Sequence, residues 1–199
     1  TFRHEAYEQY KAQREETPET IRLSVPIIKD IIRAYRIPIL EVAGYEADDV
    51  IGTLATEAGR QGITTYMMTP DKDYGQLVSD RIFMYRPKHT GGFEVMGTEE
   101  VKAKFNIQTT EQVIDMLGLM GDASDNIPGC PGVGEKTAQK LIAEFGSIEN
   151  LLEHTDQLKG ALKTKVETNR EMITFSKFLA TIKTDVPIRL DMNSLVREE

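Results

Sequence analysis

The stretch Gly121–Lys140, GDASDNIPGCPGVGEKTAQK, holds the residue types best suited to chemistry. Asp122 and Asp125 stand three apart and lead into a glycine-rich turn, Gly129-Cys130-Pro131-Gly132-Val133-Gly134, after which a helix opens at Glu135-Lys136-Thr137. Carboxylates are ligands for hard cations, and the unpaired N–H groups of a helix start suit a phosphate. Glycines serve where the chain turns tightly or another backbone comes close. The stretch therefore couples candidate metal ligands to a candidate phosphate seat, its plain alternative being a Gly/Pro loop between two helices. It is not a nucleotide loop. Gly129 to Gly134 followed by Lys136-Thr137 mimics the G-x-x-x-x-G-K-[ST] pattern, but Glu135 displaces the lysine by one residue, and the preceding run Glu111–Met120 reads as helix instead of strand.

Two further acidic knots stand at element boundaries. Glu46, Asp48 and Asp49 open a helix expected to run to about Arg60, and Asp71 and Asp73 follow the β-branched, apolar run Ile63–Thr69. Acids just past the end of a strand in an α/β sheet lie where such sheets place ligands. Acids in a first helical turn are also favoured by the helix dipole, so each knot is weak alone. Together the seven carboxylates, with no His or Cys among them, point to Mg²⁺ or Mn²⁺. Two such ions would activate a water and stabilise the leaving oxygen of a phosphodiester.

The elements that must position these groups follow from periodicity. Residues 1–16 are polar, with Arg3, Lys11 and Arg14 giving a basic side, and read either as a solvated helix or as a flexible cationic arm. Thr17-Pro18 starts a helix whose Ile21, Val25, Ile28 and Ile32 are expected in the core. Ile37–Val42 is expected as a short strand and Ile63–Thr69 as a buried one. In the helix after Gly44, Ala47, Val50, Ile51, Leu54, Ala55 and Ala58 fill one arc, and Glu46, Asp48 and Asp49 fall outside it. Arg81–Arg86 and Gly92–Met96 flank a turn at His89–Gly92. From Thr98 onward the pattern is helical: Thr98–Phe105, Thr110–Met120, Glu135–Phe145, Ser147–His154 and Leu162–Thr181. The expected fold is α/β, a mostly parallel central sheet flanked by helices over residues 1–97, followed by a helical part over 98–199.

Composition sets bounds. The chain has 199 residues, net charge −8 and no apolar run of membrane-spanning length. That charge is the wrong sign for holding nucleic acid by bulk attraction, unless divalent ions neutralise part of it. A single cysteine, Cys130, excludes an internal disulfide, and the scattered His4, His89 and His154 make a zinc cluster improbable. No signal peptide is visible, so a cytoplasmic setting is expected. The opening Thr1-Phe2-Arg3-His4 reads as the middle of a longer protein.

FRHEAYEQYKAQRE, GYEADDVIGTLA, TPDKD and GDASDNIPGCPGVGEKTAQKL resemble, in order and spacing, the 5′ nuclease (5′→3′ exonuclease, flap endonuclease) family found at the N-terminus of bacterial DNA polymerase I. The resemblance covers nearly the whole chain and implies a PIN-like nuclease core with an arch over residues 1–16. A helix–hairpin–helix, or helix–three-turn–helix, motif would lie near residues 110–145. It implies a structure-specific nuclease cutting 5′ flaps and 5′ ends of DNA in replication and repair, in a bacterial, nucleoid-associated monomer followed by polymerase domains. By motif match Glu46, Asp48, Asp49, Asp71 and Asp73 would hold one metal ion, and Asp122 and Asp125 a second. Gly129, Gly132, Val133, Gly134, Lys136 and Thr137 would grip duplex backbone with K⁺ at the hairpin, and Lys11 and Arg14, with Arg3 and Lys72, would meet phosphates. The family carries a strand and helix upstream with further metal-binding aspartates, so the fragment alone is expected to be weakly active. The rivals are a non-catalytic DNA-binding module, a stand-alone exonuclease homologue and an unrelated Mg²⁺ phosphatase.

Overall fold

The computed structural model describes residues 1–88 and 90–196. The first half contains α1 (Phe2–Ala6), α2 (Glu19–Ala34), α3 (Ala47–Arg60), β1 (Thr65–Met68), a 3₁₀ turn (Lys72–Leu77), β2 (Ile82–Pro87) and β3 (Phe93–Met96). The second half is helical: α4 (Thr98–Phe105), α5 (Gln112–Met120), α6 (Glu135–Phe145), α7 (Ile148–Glu153), α8 (Gly160–Thr168), α9 (Arg170–Ala180) and α10 (Met192–Leu195). The sheet is small and mixed. β1 pairs β2 in parallel, Met67 beside Met84, and β2 pairs β3 antiparallel, Met84 beside Met96. His89 of the expected turn lies outside the described residues; Lys88 N donates to Gly92 O at 3.0 Å.

The core is strongest where α5 meets α9. Met116, Leu117 and Leu119 of α5 and Ile173 of α9 are fully buried. Each such side chain contributes about 1.5–3 kcal/mol over an exposed one, enough to hold short helices that would not persist alone. This packing sets α9 against the stretch that follows α5.

Four expectations are corrected. No residue of α2 is buried, and Ile21, Val25 and Ile28 are all at least two-fifths exposed while Ile32 is only partly covered. Its apolar face has no cover among the described residues, and Pro26 removes one of its internal donors. Ile37–Val42 forms no strand, since it finds no ladder partner and Pro38 cannot donate. In β1 only Met67 is buried, because one edge of this strand is unpaired and Tyr66 and Met68 face outward. The long helix expected at Leu162–Thr181 is two helices broken at Asn169, starting earlier at Gly160. Among the described residues no helix is long and apolar enough to cross a membrane.

Candidate active site

The acidic knots are built by three different local structures. The 3₁₀ turn after β1 is capped by Asp71, whose carboxylate accepts from Asp73 N at 3.0 Å. Asp122 opens a loop closed on itself: Asp122 N donates to Ile127 O at 2.9 Å and Ile127 N to Asp122 O at 2.8 Å, enclosing residues 123–126. Asp48 and Asp49 lie in the first turn of α3 behind Glu46.

Lysine side chains bridge these knots. Lys72 Nζ pairs with Asp122 Oδ2 and lies 3.4 Å from Asp73 Oδ1. Lys11 Nζ lies 2.7 Å from Glu46 Oε1 and 3.4 Å from Asp125 Oδ2, and Arg14 pairs with Asp125 Oδ1. Backbone bonds fix this arm in place: Lys11 N donates to Asp125 O at 3.0 Å, and Lys11 and Asn126 both adopt the left-handed conformation, φ +55° and +57°. Two tyrosines that the sequence reading passed over complete the set. Tyr10 OH stands 3.1 Å from Glu46 Oε2 and 3.2 Å from Asp125 Oδ2, and Tyr74 OH donates to Asp48 Oδ1 at 2.8 Å. Nothing local marks Tyr10, since Asp125 lies 115 residues further along the chain.

Burial makes the cluster electrostatically unlike exposed acids. Asp73 is raised to about 7, first by burial and then by Asp71, Asp122 and Asp125, against the nearby Lys72. Its Oδ1 is buried without a hydrogen-bond partner. Burial also raises Asp48, more than the Tyr74 hydroxyl and Lys11 lower it, with Asp71 and Glu46 adding to the rise. Burial works the same way on Asp122, but there Lys72 and the Ser124 hydroxyl and amide outweigh it and hold the acid below the usual carboxylate range.

Three residues of α3 are not where the sequence reading placed them. Asp49, expected on the solvent face, is fully buried, and Ala47 and Ile51 of the expected core arc are exposed, Ile51 by 38%. Each Asp49 oxygen already has two donors: Arg3 Nη2 and Lys183 N on Oδ1, Arg3 Nη1 and Glu46 N on Oδ2. Arg3 and the Lys183 amide hold its pKa low despite burial, and no lone pair is left for a metal. Arg3 is 2% exposed and also donates to Glu46 Oε2, Leu179 O and Thr181 O, so it ties α1 to α3 and α9 and cannot reach a phosphate. Tyr45 packs near Phe2 with the rings tilted by 56° and their centroids 6.1 Å apart.

The hairpin follows the loop directly. Gly129 and Gly132 have φ of +63° and +75°, a region that side chains rarely enter. Gly134, with nothing near its Cβ position, is the N-cap of α6. Val133 is corrected as a contact residue: its side chain is buried and its N–H donates to Cys130 O at 2.9 Å. The Thr137 amide is likewise engaged, by Gly134 O at 3.0 Å, which leaves the amides of Gly134, Glu135 and Lys136 as the open ones at this helix start. Lys165 Nζ lies 3.4 Å from Gly132 O, adding a cation beside the turn.

Among the described residues no three acids, histidines or cysteines stand close enough to hold one ion as the side chains lie, because Lys11 and Lys72 sit between them. The donors nevertheless fit a hard cation. They are all oxygen, mutually repelling, and include the Oδ1 of Asp73, which makes no hydrogen bond and has only Lys72 at 3.4 Å. An apolar groove of about 440 Å³ beside β1 is lined by none of the seven.

Residues 1–106 match the family model of the 5′-3′ exonuclease N-terminal resolvase-like domain, and residues 108–199 that of the 5′-3′ exonuclease C-terminal SAM fold. The chain belongs to the 5′-3′ exonuclease family. DNA polymerase I of Bacillus subtilis (strain 168) is 45% identical to this exonuclease chain over 197 residues, and that of Bacillus caldotenax 44% over 197. In both cases the match takes in 98% of the chain but 22% of the relative, so the exonuclease chain spans about a fifth of their length. Its fold is that of bacteriophage T5 flap endonuclease, solved as a pseudo-enzyme–product complex with DNA and metal ions (TM-score 0.76, 24% identity, 92% of this chain and 71% of that one). The catalytic core of Rad2 in complex with DNA shares it less closely (TM-score 0.57, 16% identity, 96% and 65%).

Proposed function

We propose that this chain is a metal-dependent 5′ nuclease that hydrolyses phosphodiesters at 5′ ends and 5′ flaps of duplex DNA. The observation that carries the reading is the junction at Lys72. There a carboxylate from the end of β1 meets one from the loop beside the hairpin, and the buried Oδ1 of Asp73 has no hydrogen bond, only the Lys72 ammonium at 3.4 Å. Asp71, Asp73, Asp122, Asp125, Asp48 and Glu46 would hold two Mg²⁺ or Mn²⁺ ions. Bound there, such ions supply Lewis acidity, activating a water and stabilising the leaving oxygen.

The chain's own groups divide the remaining work. The open amides of Gly134, Glu135 and Lys136 seat the duplex backbone, with K⁺ as the accompanying cation. Lys11, Arg14 and Lys72 neutralise the phosphate at the cut once it takes them from their carboxylates. The groups assigned to the DNA are backbone amides and cationic side chains, which meet phosphates, so recognition is by shape and phosphate. In our reading the domain acts in replication and repair as a monomeric part of a cytoplasmic, nucleoid-associated DNA polymerase I; the support for the polymerase context is its match to a fifth of the length of such relatives.

The test is cleavage of a 5′-labelled flap duplex by the intact protein with Mg²⁺, against Asp73→Asn and Asp122→Asn. Mg²⁺-dependent cutting that both variants lose by at least 10²-fold is the expected result, since each removes charge stabilisation at the reacting phosphate. A protein that binds the duplex but never cuts it is instead a DNA-binding module.

A further inference from the structure

The C-terminal end of α9 touches all three pieces of the candidate site through buried polar bonds. Ser176, fully buried, accepts from Gly129 N at 2.9 Å and so ties the hairpin to α9. Gln76, 8% exposed, donates to Ala180 O at 3.0 Å and to Asp73 O at 2.9 Å, and accepts from Ile182 N at 2.8 Å. Arg3 reaches Leu179 O at 2.9 Å and Thr181 O at 2.6 Å while it holds Glu46 and Asp49.

From Ser176 to Ala180 the helix rises about 6 Å, and its backbone hydrogen bonds make that length stiff. The loop side is equally stiff. A methyl on Gly121 would meet Ile127 O at 2.5 Å and one on Gly129 would meet the backbone of Met120 at 2.7 Å, so the loop's neck is backbone against backbone. We infer that the stretch Ser176–Ile182 is a spacer that fixes the distance between the duplex grip and the Asp71–Asp73 carboxylates, with Ser176 and Gln76 as its positioning residues. This rests on the nuclease reading for its consequence, which is where along the strand the cut falls, but not for the link itself.

The test maps cut positions on a flap duplex for the intact protein and for Ser176→Ala, Ser176→Thr and Gln76→Glu, each shown folded by circular dichroism. Ser176→Ala loses the acceptor, Ser176→Thr keeps it, and Gln76→Glu loses the donor to Ala180 and Asp73. The expected result is one dominant cut position in the parent and in Ser176→Thr. Ser176→Ala and Gln76→Glu spread the cuts over neighbouring phosphodiesters and slow about 10- to 100-fold, as displacements near 1 Å do. A merely destabilised protein slows without moving the cut. Unchanged positions in both variants, or Ser176→Thr behaving as Ser176→Ala, overturn the inference. One reading that needs no cutting separates its failure from that of the nuclease reading. Gly129 amide exchange should quicken in Ser176→Ala and stay as in the parent in Ser176→Thr; if it does not move in Ser176→Ala, there is no such link.

Discussion

At the scale of single residues, Asp73 and Asp49 show how burial splits one chemical group into two roles. Asp49 is paired on every side and is a structural charge, whereas Asp73 is largely buried beside other acids, with one oxygen that has no hydrogen bond and faces only Lys72 at 3.4 Å. Asp73, raised to about 7, holds its proton in the folded state over a range where an unfolded aspartate has lost it. Its contribution to stability is therefore full below about pH 4 and is lost as pH rises through about 7. In a metal chelator, Asp73→Asn should be more stable than the parent at pH 8, by at most about 4 kcal/mol from a shift of roughly three units, and indistinguishable from it near pH 4. Urea midpoints at the two values check this, and a difference that does not change with pH would refute it. Adding Mg²⁺ at pH 8 should close the gap by stabilising the parent.

At the scale of elements, the loop 121–129 is the part most sensitive to a single added atom. Gly121 combines φ +72° with the 2.5 Å approach to Ile127 O, so Gly121→Ala strains the backbone and parts the bridge Asp122–Ile127 together. A cost of about 1–3 kcal/mol from the conformation alone is expected, and thermal melting measures it. Gly134→Ala, with open space around the Cβ position and no positive φ, should leave the melting temperature nearly unchanged. The turn chemistry here was legible from the sequence because glycine at a left-handed position is a local requirement. The hydrophobic face of α2 was not. Period 3.6 shows that Ile21, Val25 and Ile28 share a face, but not what covers it. In α3 the same pattern put Asp49 outside the core, because periodicity ranks a carboxylate as polar and cannot see Arg3 arriving from 46 residues away to pair with it.

At the scale of the whole molecule, the sequence carried family and fold because the motifs keep their order, while the cross-chain wiring stayed hidden. Tyr10 with Asp125, Lys72 with Asp122 and Gln76 with Ala180 are each separated by 50 residues or more. The net charge of −8 also takes on meaning only in the fold, where Glu46, Asp73, Asp122 and Asp125 gather at Lys11, Lys72 and Arg14.

The buried thiol of Cys130 has a practical use. It is the only cysteine in the chain, 2% exposed, next to Gly129, and burial raises its pKa further from reactivity. A disulfide reagent such as dithionitrobenzoate can modify it only while the hairpin is open, so the rate at which the peptide carrying Cys130 is modified, followed by mass spectrometry, reports hairpin opening. Duplex DNA that grips the hairpin should slow that rate, and a rate indifferent to saturating duplex would show that the hairpin is not what the DNA holds.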